Sequence, residues 1–168
     1  MKTEIKITER RIPKPLFRNI HRVLPVLCVD IVVTHGRKFL LVERKNAPAK
    51  GFWWPPGGRL LKNERIIDAV QRKLREETGL TGGSPQLLGA AEHFSNPGYF
   101  KGFGSHTVVF VFKIEASSFS TVKLDSQSSK SGWFSAINPS WHPYVRDCVR
   151  AARSKNHSRL RLIKKFSY

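Results

Sequence analysis

The sequence predicts an α+β domain, and three features carry that prediction. Pro25 to Thr34, PVLCVDIVVT, and Thr107 to Ile114, TVVFVFKI, are β-branched and almost continuously apolar, as strands covered on both faces are. Apolar residues recur at helical spacing from Leu16 to Leu24, and again along Ile66, Val70 and Leu74. Turn signals such as His35-Gly36 separate these runs, so strands and helices alternate within a chain of 168 residues, a length that suits one domain with its own core.

Taken in order, residues 1 to 15 carry Lys2, Lys6, Arg10, Arg11 and Lys14 and end in Pro13 and Pro15, which reads as an extended basic arm. Leu16, Phe17, Ile20, Val23 and Leu24 then make a short amphipathic helix up to Pro25, its stripe suited to the domain's own core or to a partner subunit. Asp30 interrupts the first strand, and a carboxylate in mid-strand needs a partner, so it is either a hydrogen-bond hub or a ligand contact. Lys38 to Arg44 returns as the second strand of a hairpin. Gly51 to Pro56 brings Trp53 and Trp54 in a proline-glycine linker, where flat rings serve either to stack on a base or sugar or to pack under the sheet. After a glycine pair comes a helix, with Asn63 and Glu64 as cap and first-turn residues and Gly79 as terminator. Leu87 to Glu92 is the next strand, leading to His93-Phe94 and a loop from Ser95 to Ser105 that includes Tyr99. Ser117 to Ser131 reads as a serine-rich loop, Trp133-Phe134 as a return to the sheet, and Pro143 to Lys155 as a last helix. The expected division is an arm over 1–15, a folded domain over 16–155 and a basic tail over 156–168.

Charge narrows the partners. Thirty Lys and Arg face 12 Asp and Glu, a formal net charge of +18, which favours anionic partners such as nucleotides, RNA or an acidic surface. Cys28 and Cys148 stand far apart with no C-x-x-C arrangement, so no zinc site or disulfide framework is indicated. With no apolar run of membrane-spanning length and no apolar signal-peptide core after Met1, a cytoplasmic protein without a membrane partner is expected.

The densest chemistry lies from Gly57 to Leu80. Glu77 continues the stripe of Ile66, Val70 and Leu74, so its carboxylate points inward, while Glu76 sits one position round with Arg72 a turn before it. An inward carboxylate needs a positive partner. Adjacent Glu76 and Glu77 are one way of holding Mg²⁺ or Mn²⁺ for phosphate chemistry, and an ordinary Arg–Glu helix pair is the plainer use. Gly58, five residues, Glu64, seven residues, then Arg72-Lys73-Leu74-Arg75-Glu76-Glu77-Thr78-Gly79-Leu80 closely resembles the Nudix hydrolase signature, with Lys73 in place of a Glu as the one departure. That resemblance implies a mixed β-sheet sandwiched between helices, with a loop–helix–loop that binds Mg²⁺.

Beyond that box, Leu16 to Trp133 resembles the GDP-mannose mannosyl hydrolase branch, which cleaves the sugar from GDP. The carrying stretches are Val29 to Val32, Leu41 to Gly51, Pro56 to Arg59, and His93-Phe94 with His106. The resemblance implies a metal on the Gly58 carbonyl, Glu77 and Gln127, with Arg44, Arg59 and Arg72 holding the diphosphate and Asp30 and His93 near the sugar. It also implies a homodimer through the N-terminal segment. Ser128 follows Gln127 where that branch carries a His as general base, which leaves Glu76, His106 or another loop side chain to orient the water. Retention of both Glu76 and Glu77 moves the chain toward pyrophosphatases that cleave a P–O–P bridge. Lys73 lies at i, i+4 to Glu77, so it is able to pair with it and leave room for fewer divalent ions. The expected function is therefore Mg²⁺-dependent hydrolysis of a GDP-mannose-like nucleotide sugar. Action on nucleotides or RNA 5′ ends, with weak nucleic-acid binding through the basic termini, and a catalytically silent binding module are the alternatives.

Overall fold

The computed structural model describes residues 12–119, 121–154 and 162–167. The basic arm up to Arg11, and residues 155–161, lie outside the described residues, and with them part of the charge expected to contact nucleic acid. Along the chain run α1 (Lys14–Val23), β1 (Val26–His35), β2 (Lys38–Arg44), β3 (Trp53–Trp54), β4 (Gly57–Arg59), α2 (Ile66–Thr78), β5 (Gln86–Ser95), β6 (Ser105–Glu115), β7 (Ser128–Phe134), α3 (Pro143–Arg153) and β8 (Leu162–Ser167).

One mixed sheet organises them, in the order β3-β2-β1-β6-β5-β8, with β4 beside β1 and β7 beside β2. β1 runs parallel to β6 over Val26 to Thr34, and β5 runs parallel to β8. The hairpin strands β1 and β2 pair only from Val33↔Leu40 to His35↔Lys38 and then part. β4 continues on β1 at Cys28 to Asp30, and β3 continues on β2 at Val42 and Glu43, so the sheet forks.

Because side chains alternate across a strand, β1 feeds two cores. Val29, Ile31 and Val33 face α2, meeting Ala69, Val70 and Leu74. Val32, with Phe39 and Leu41 of β2, faces α3, meeting Tyr144, Val145, Cys148 and Val149. Asp30 shares this second face, which puts a carboxylate under a helix whose stripe is otherwise apolar. The sheet is thus covered by α2 on one side and α3 on the other, the sandwich expected from the sequence.

The structure redraws several boundaries. α2 begins at Ile66, with Arg65 as an extended cap residue that makes no side-chain cap bond. Asn63 has a left-handed φ of 63°, so it shapes the turn before the helix and does not cap it. Gly79 terminates α2 as expected, with φ 70° and its N–H donating to the Arg75 carbonyl. β5 reaches Ser95, placing His93 and Phe94 inside a strand paired on both sides, by β6 and β8. β7 begins at Ser128, inside the stretch expected to be a loop, because Ser128 to Phe134 ladders onto β2. α1 already starts at Lys14, with Pro15 in its first turn where proline costs no hydrogen bond. The tail's Leu162–Ser167 is no appendage: it adds an edge strand that stacks Phe166 on His93 at 5.5 Å.

Candidate active site

A cleft of about 580 Å³ opens where the sheet forks. Asp30 of β1, Arg44 of β2, Trp54 of β3, Gly57 to Arg59 of β4 and Lys73 and Glu76 of α2 all line it, as do His93, Tyr99 and Gln127. The fork explains this convergence, since short β4 carries the chain from the sheet to the start of α2 within a few residues. Gly57 is required there by close approach: a Cβ on it would lie 2.2 Å from the Val29 carbonyl oxygen and 2.5 Å from Asp30 Oδ1.

The floor is a buried polar hub. Asp30 is 6% exposed, and its Oδ2 accepts hydrogen bonds from Trp54 Nε1 at 3.0 Å and from Tyr144 Oη at 2.7 Å. Burial pushes its carboxyl up to about 6, against the lowering pull of these two donors and of Arg44. Of the two uses open to Asp30, the hub is realised, and the residue still lines the cleft. His93 lies under Tyr144, ring centroids 4.3 Å apart, and beside Trp54 at 5.6 Å. Burial, with the charges of His142 and Arg44, brings its imidazole down to about 4, so it is neutral at physiological pH.

The α2 wall carries the charges. Glu77 is 6% exposed and accepts from the Gly57 N–H at 2.9 Å through Oε2. Its Oε1 faces Lys73 Nζ at 2.8 Å, and the same ammonium stands 3.5 Å from Glu76 Oε2. Burial pushes the Glu77 carboxyl up while Lys73 and the Gly57 amide pull it down. Arg72 grips Glu64 in a two-pronged pair, Nε to Oε1 at 2.6 Å and Nη2 to Oε2 at 2.7 Å. It also donates to Glu76 at 3.0 Å and to the Arg59 carbonyl at 3.2 Å. Arg72 lines the cleft beside Arg44 and Arg59, and the same guanidinium holds the loop 59–64 on the helix through these bonds.

An aromatic wall faces the charges. Tyr99 stacks on His21 of α1 at 5.3 Å, with an interplanar angle of 16°, and Phe17 packs edge-on to both. Arg59 lies over the Phe17 ring at 5.0 Å. Tyr99 is half exposed, so one face of this stack is open to the cleft. Trp53 is not part of it. Its indole packs edge-on against Phe134 at 5.1 Å in the α3-side core, so of the two uses open to this pair Trp53 takes packing under the sheet, and Trp54 is the indole of the cleft. His106 lies outside the cleft, near Glu92 Oε1 at 3.2 Å and stacked on Phe94. Ser128 is buried and lies opposite Arg44 in the β2–β7 ladder.

The expected metal set fits these positions poorly. Gly58, Glu76, Glu77 and Gln127 do gather around the cleft or its α2 wall, but Lys73 Nζ occupies the ground between the two carboxylates. Among the described residues no group of three His, Cys, Asp or Glu side chains is arranged to hold a metal ion. Gln127 turns its amide toward Asp125, with Nε2 at 3.4 Å from Oδ2. Two further participants escaped the sequence reading. Tyr144 belongs to the apolar stripe of α3, and its signal was a phenol that must find an acceptor once buried, beside an Asp that must find a donor. His21 lay in a helix read only for its apolar residues.

Among the described residues, no helix is long and apolar enough to cross a membrane. The NUDIX domain family model matches residues 22–145, more than half of the chain. The low-salt glycan biosynthesis protein Agl8 of Haloferax volcanii is 34% identical over 136 residues, covering 80% of this chain and 86% of that one. The ADP-ribose pyrophosphatase of Methanocaldococcus jannaschii is 37% identical over 92 residues, covering 55% of this chain and 51% of the enzyme. In fold, the MutT NUDIX hydrolase from Burkholderia pseudomallei superposes with a TM-score of 0.63 at 24% identity, over 76% of this chain and 97% of that one. Nudix hydrolases generally work with divalent metals such as Mg²⁺. With the loop–helix of Gly58 to Leu80 set against a forked mixed sheet, and with these matches, the chain belongs to the Nudix hydrolase family.

Proposed function

We propose that this cleft hydrolyses a nucleoside diphosphate sugar of the GDP-mannose type, separating the sugar from the diphosphate. The observation that carries the reading is the opposition, in one cleft, of a cationic side at Arg44, Arg59 and Lys73 to an aromatic side at Tyr99 and His21, above a buried acid at Asp30. That combination suits a ligand with a central anion, a flat base at one end and a hydroxylated ring at the other. The likeness to a relative named for glycan biosynthesis points the same way.

On this reading Arg44 and Arg59 hold the diphosphate oxygens, where charge grows as the glycosidic C–O bond breaks, so their hydrogen bonds strengthen in the transition state. Tyr99 receives the base. Asp30, held by Trp54 and Tyr144, meets the sugar hydroxyls beside neutral His93. Glu76, at the exposed rim, orients the water that attacks the anomeric carbon and takes its proton, while the bond's electron pair leaves with the diphosphate.

Cleavage of the P–O–P bridge is the second reading, favoured by the retention of Glu76 and Glu77 and by the burial of Ser128, which supplies no base beside Gln127. Incubation with GDP-mannose separates the two. Free mannose and GDP report C–O cleavage, whereas GMP and mannose 1-phosphate report P–O–P cleavage. Turnover of neither GDP-mannose nor any other nucleotide sugar, by folded protein with Mg²⁺ supplied, sinks the proposal.

A further inference from the structure

The Lys73 ammonium is difficult to explain as helix stabilisation. A lysine preceding a glutamate at i, i+4 is the weaker of the two orders on an exposed helix, and such pairs matter little in any case. Here the pair is not on an exposed face: the Lys73 and Glu77 side chains are 10% and 8% exposed. Burying an ammonium costs several kcal/mol unless anions surround it, and Lys73 has Glu77 Oε1 at 2.8 Å and Glu76 Oε2 at 3.5 Å. It also presses on the glycine loop. A Cβ on Gly58 would fall 2.4 Å from Lys73 Cε and 3.0 Å from Nζ, and Gly58 has a φ of 154° that a side chain would strain. The end of this lysine thus lies against the backbone of Gly58.

We propose that Lys73 is a resident cation, an ammonium built into the place between Glu76 and Glu77 that a divalent ion would otherwise take, so that this chain has one divalent site fewer than its acidic residues suggest. A point charge with three donors satisfies two carboxylates and projects its positive field into the cleft, as a bound ion would. The proposal concerns the free protein and holds whichever bond the enzyme cleaves.

Titration of the substrate-free chain with Mn²⁺, followed by the paramagnetic signal of the unbound ion, tests it. Wild type is expected to bind Mn²⁺ weakly, and Glu77→Gln is expected to leave that binding within about twofold, because Glu77 is already taken. Lys73→Glu and Lys73→Gln are each expected to bind at least about tenfold more tightly, or to take one more ion, and Mn²⁺ is expected to raise the Tm of Lys73→Gln more than that of wild type. Lys73→Arg, which keeps the charge, should stay weak. Tight binding by wild type that Glu77→Gln abolishes overturns the proposal, even if the Lys73 variants fail to fold. So does Mn²⁺ binding by folded Lys73→Gln that matches wild type in number and affinity.

Discussion

Asp30→Asn isolates one electrostatic contribution in a core that holds two of opposite sign. Asp30 rises from 3.8 to about 6 on folding, so the stability it contributes is complete below pH 4 and is lost as pH climbs through 6. At about 1.4 kcal/mol per pH unit the loss comes to about 3 kcal/mol. His93 falls from 6.5 to about 4, so its contribution is complete above pH 6.5 and is lost as pH drops through 4, again by about 3 kcal/mol. The two slopes nearly cancel in wild type between pH 4 and 6.5. The amide introduced by Asp30→Asn keeps an oxygen to accept from Trp54 and Tyr144 but does not titrate, so the Asp30 slope is removed and no longer offsets that of His93. Urea unfolding at pH 4, 5, 6 and 7 should show the stability of the variant, relative to wild type, rising by about 3 kcal/mol across that range. A difference between the two proteins that stays level within about 1 kcal/mol from pH 4 to 6.5 refutes the account of Asp30 as a buried, proton-retaining hub.

Three further outcomes follow from the same geometry. Arg72→Ala leaves Glu64, its side chain only 14% exposed, without its two-pronged partner, and should cost about 2 kcal/mol, read as a Tm lower by about 4 to 8 °C. Gly57→Ala drives a methyl group into the Val29 carbonyl and should cost about 1 to 3 kcal/mol and most of the turnover, since β4 must leave β1 to make room. Tyr99→Ala, on a half-exposed ring that also packs on His21 and Phe17, should raise KM for a nucleotide sugar about tenfold, corresponding to about 1.4 kcal/mol of lost stacking, and lower Tm by about 2 to 4 °C. An unchanged KM would remove Tyr99 from the base site.

The elements whose burial is periodic were legible in the sequence. β1 and β6 announced themselves as continuous apolar runs, and Glu77 was placed inward by counting along the α2 stripe, which is where it lies. The Lys73–Glu77 pair was likewise readable from spacing. What escaped the reading depended on contacts between distant segments. Arg72 and Glu64 are eight residues apart, a separation that no helical rule pairs, and they meet only because the turn at Asn63 folds the loop back onto α2. β8 is short and partly basic, so its membership of the sheet comes from the vacant edge of β5 and not from its own composition. Trp53 and Trp54 are adjacent and chemically alike, yet strand alternation sends one under Phe134 and the other to Asp30, a choice fixed by a register that only pairing with β2 defines.

The fork in the sheet has an implication for how such a protein diversifies. Between Arg44 and Gly57 the chain leaves one tine and joins the other, tied down at both ends by ladder bonds to β2 and β1. Residues 45–52 form a bight between the paired strands β2 and β3 that touches the α3-side core through Ala49. Lengthening or recolouring that bight would alter the size of guest admitted beside Arg44 while leaving the strand registers, and hence the hydrolytic apparatus, where they are.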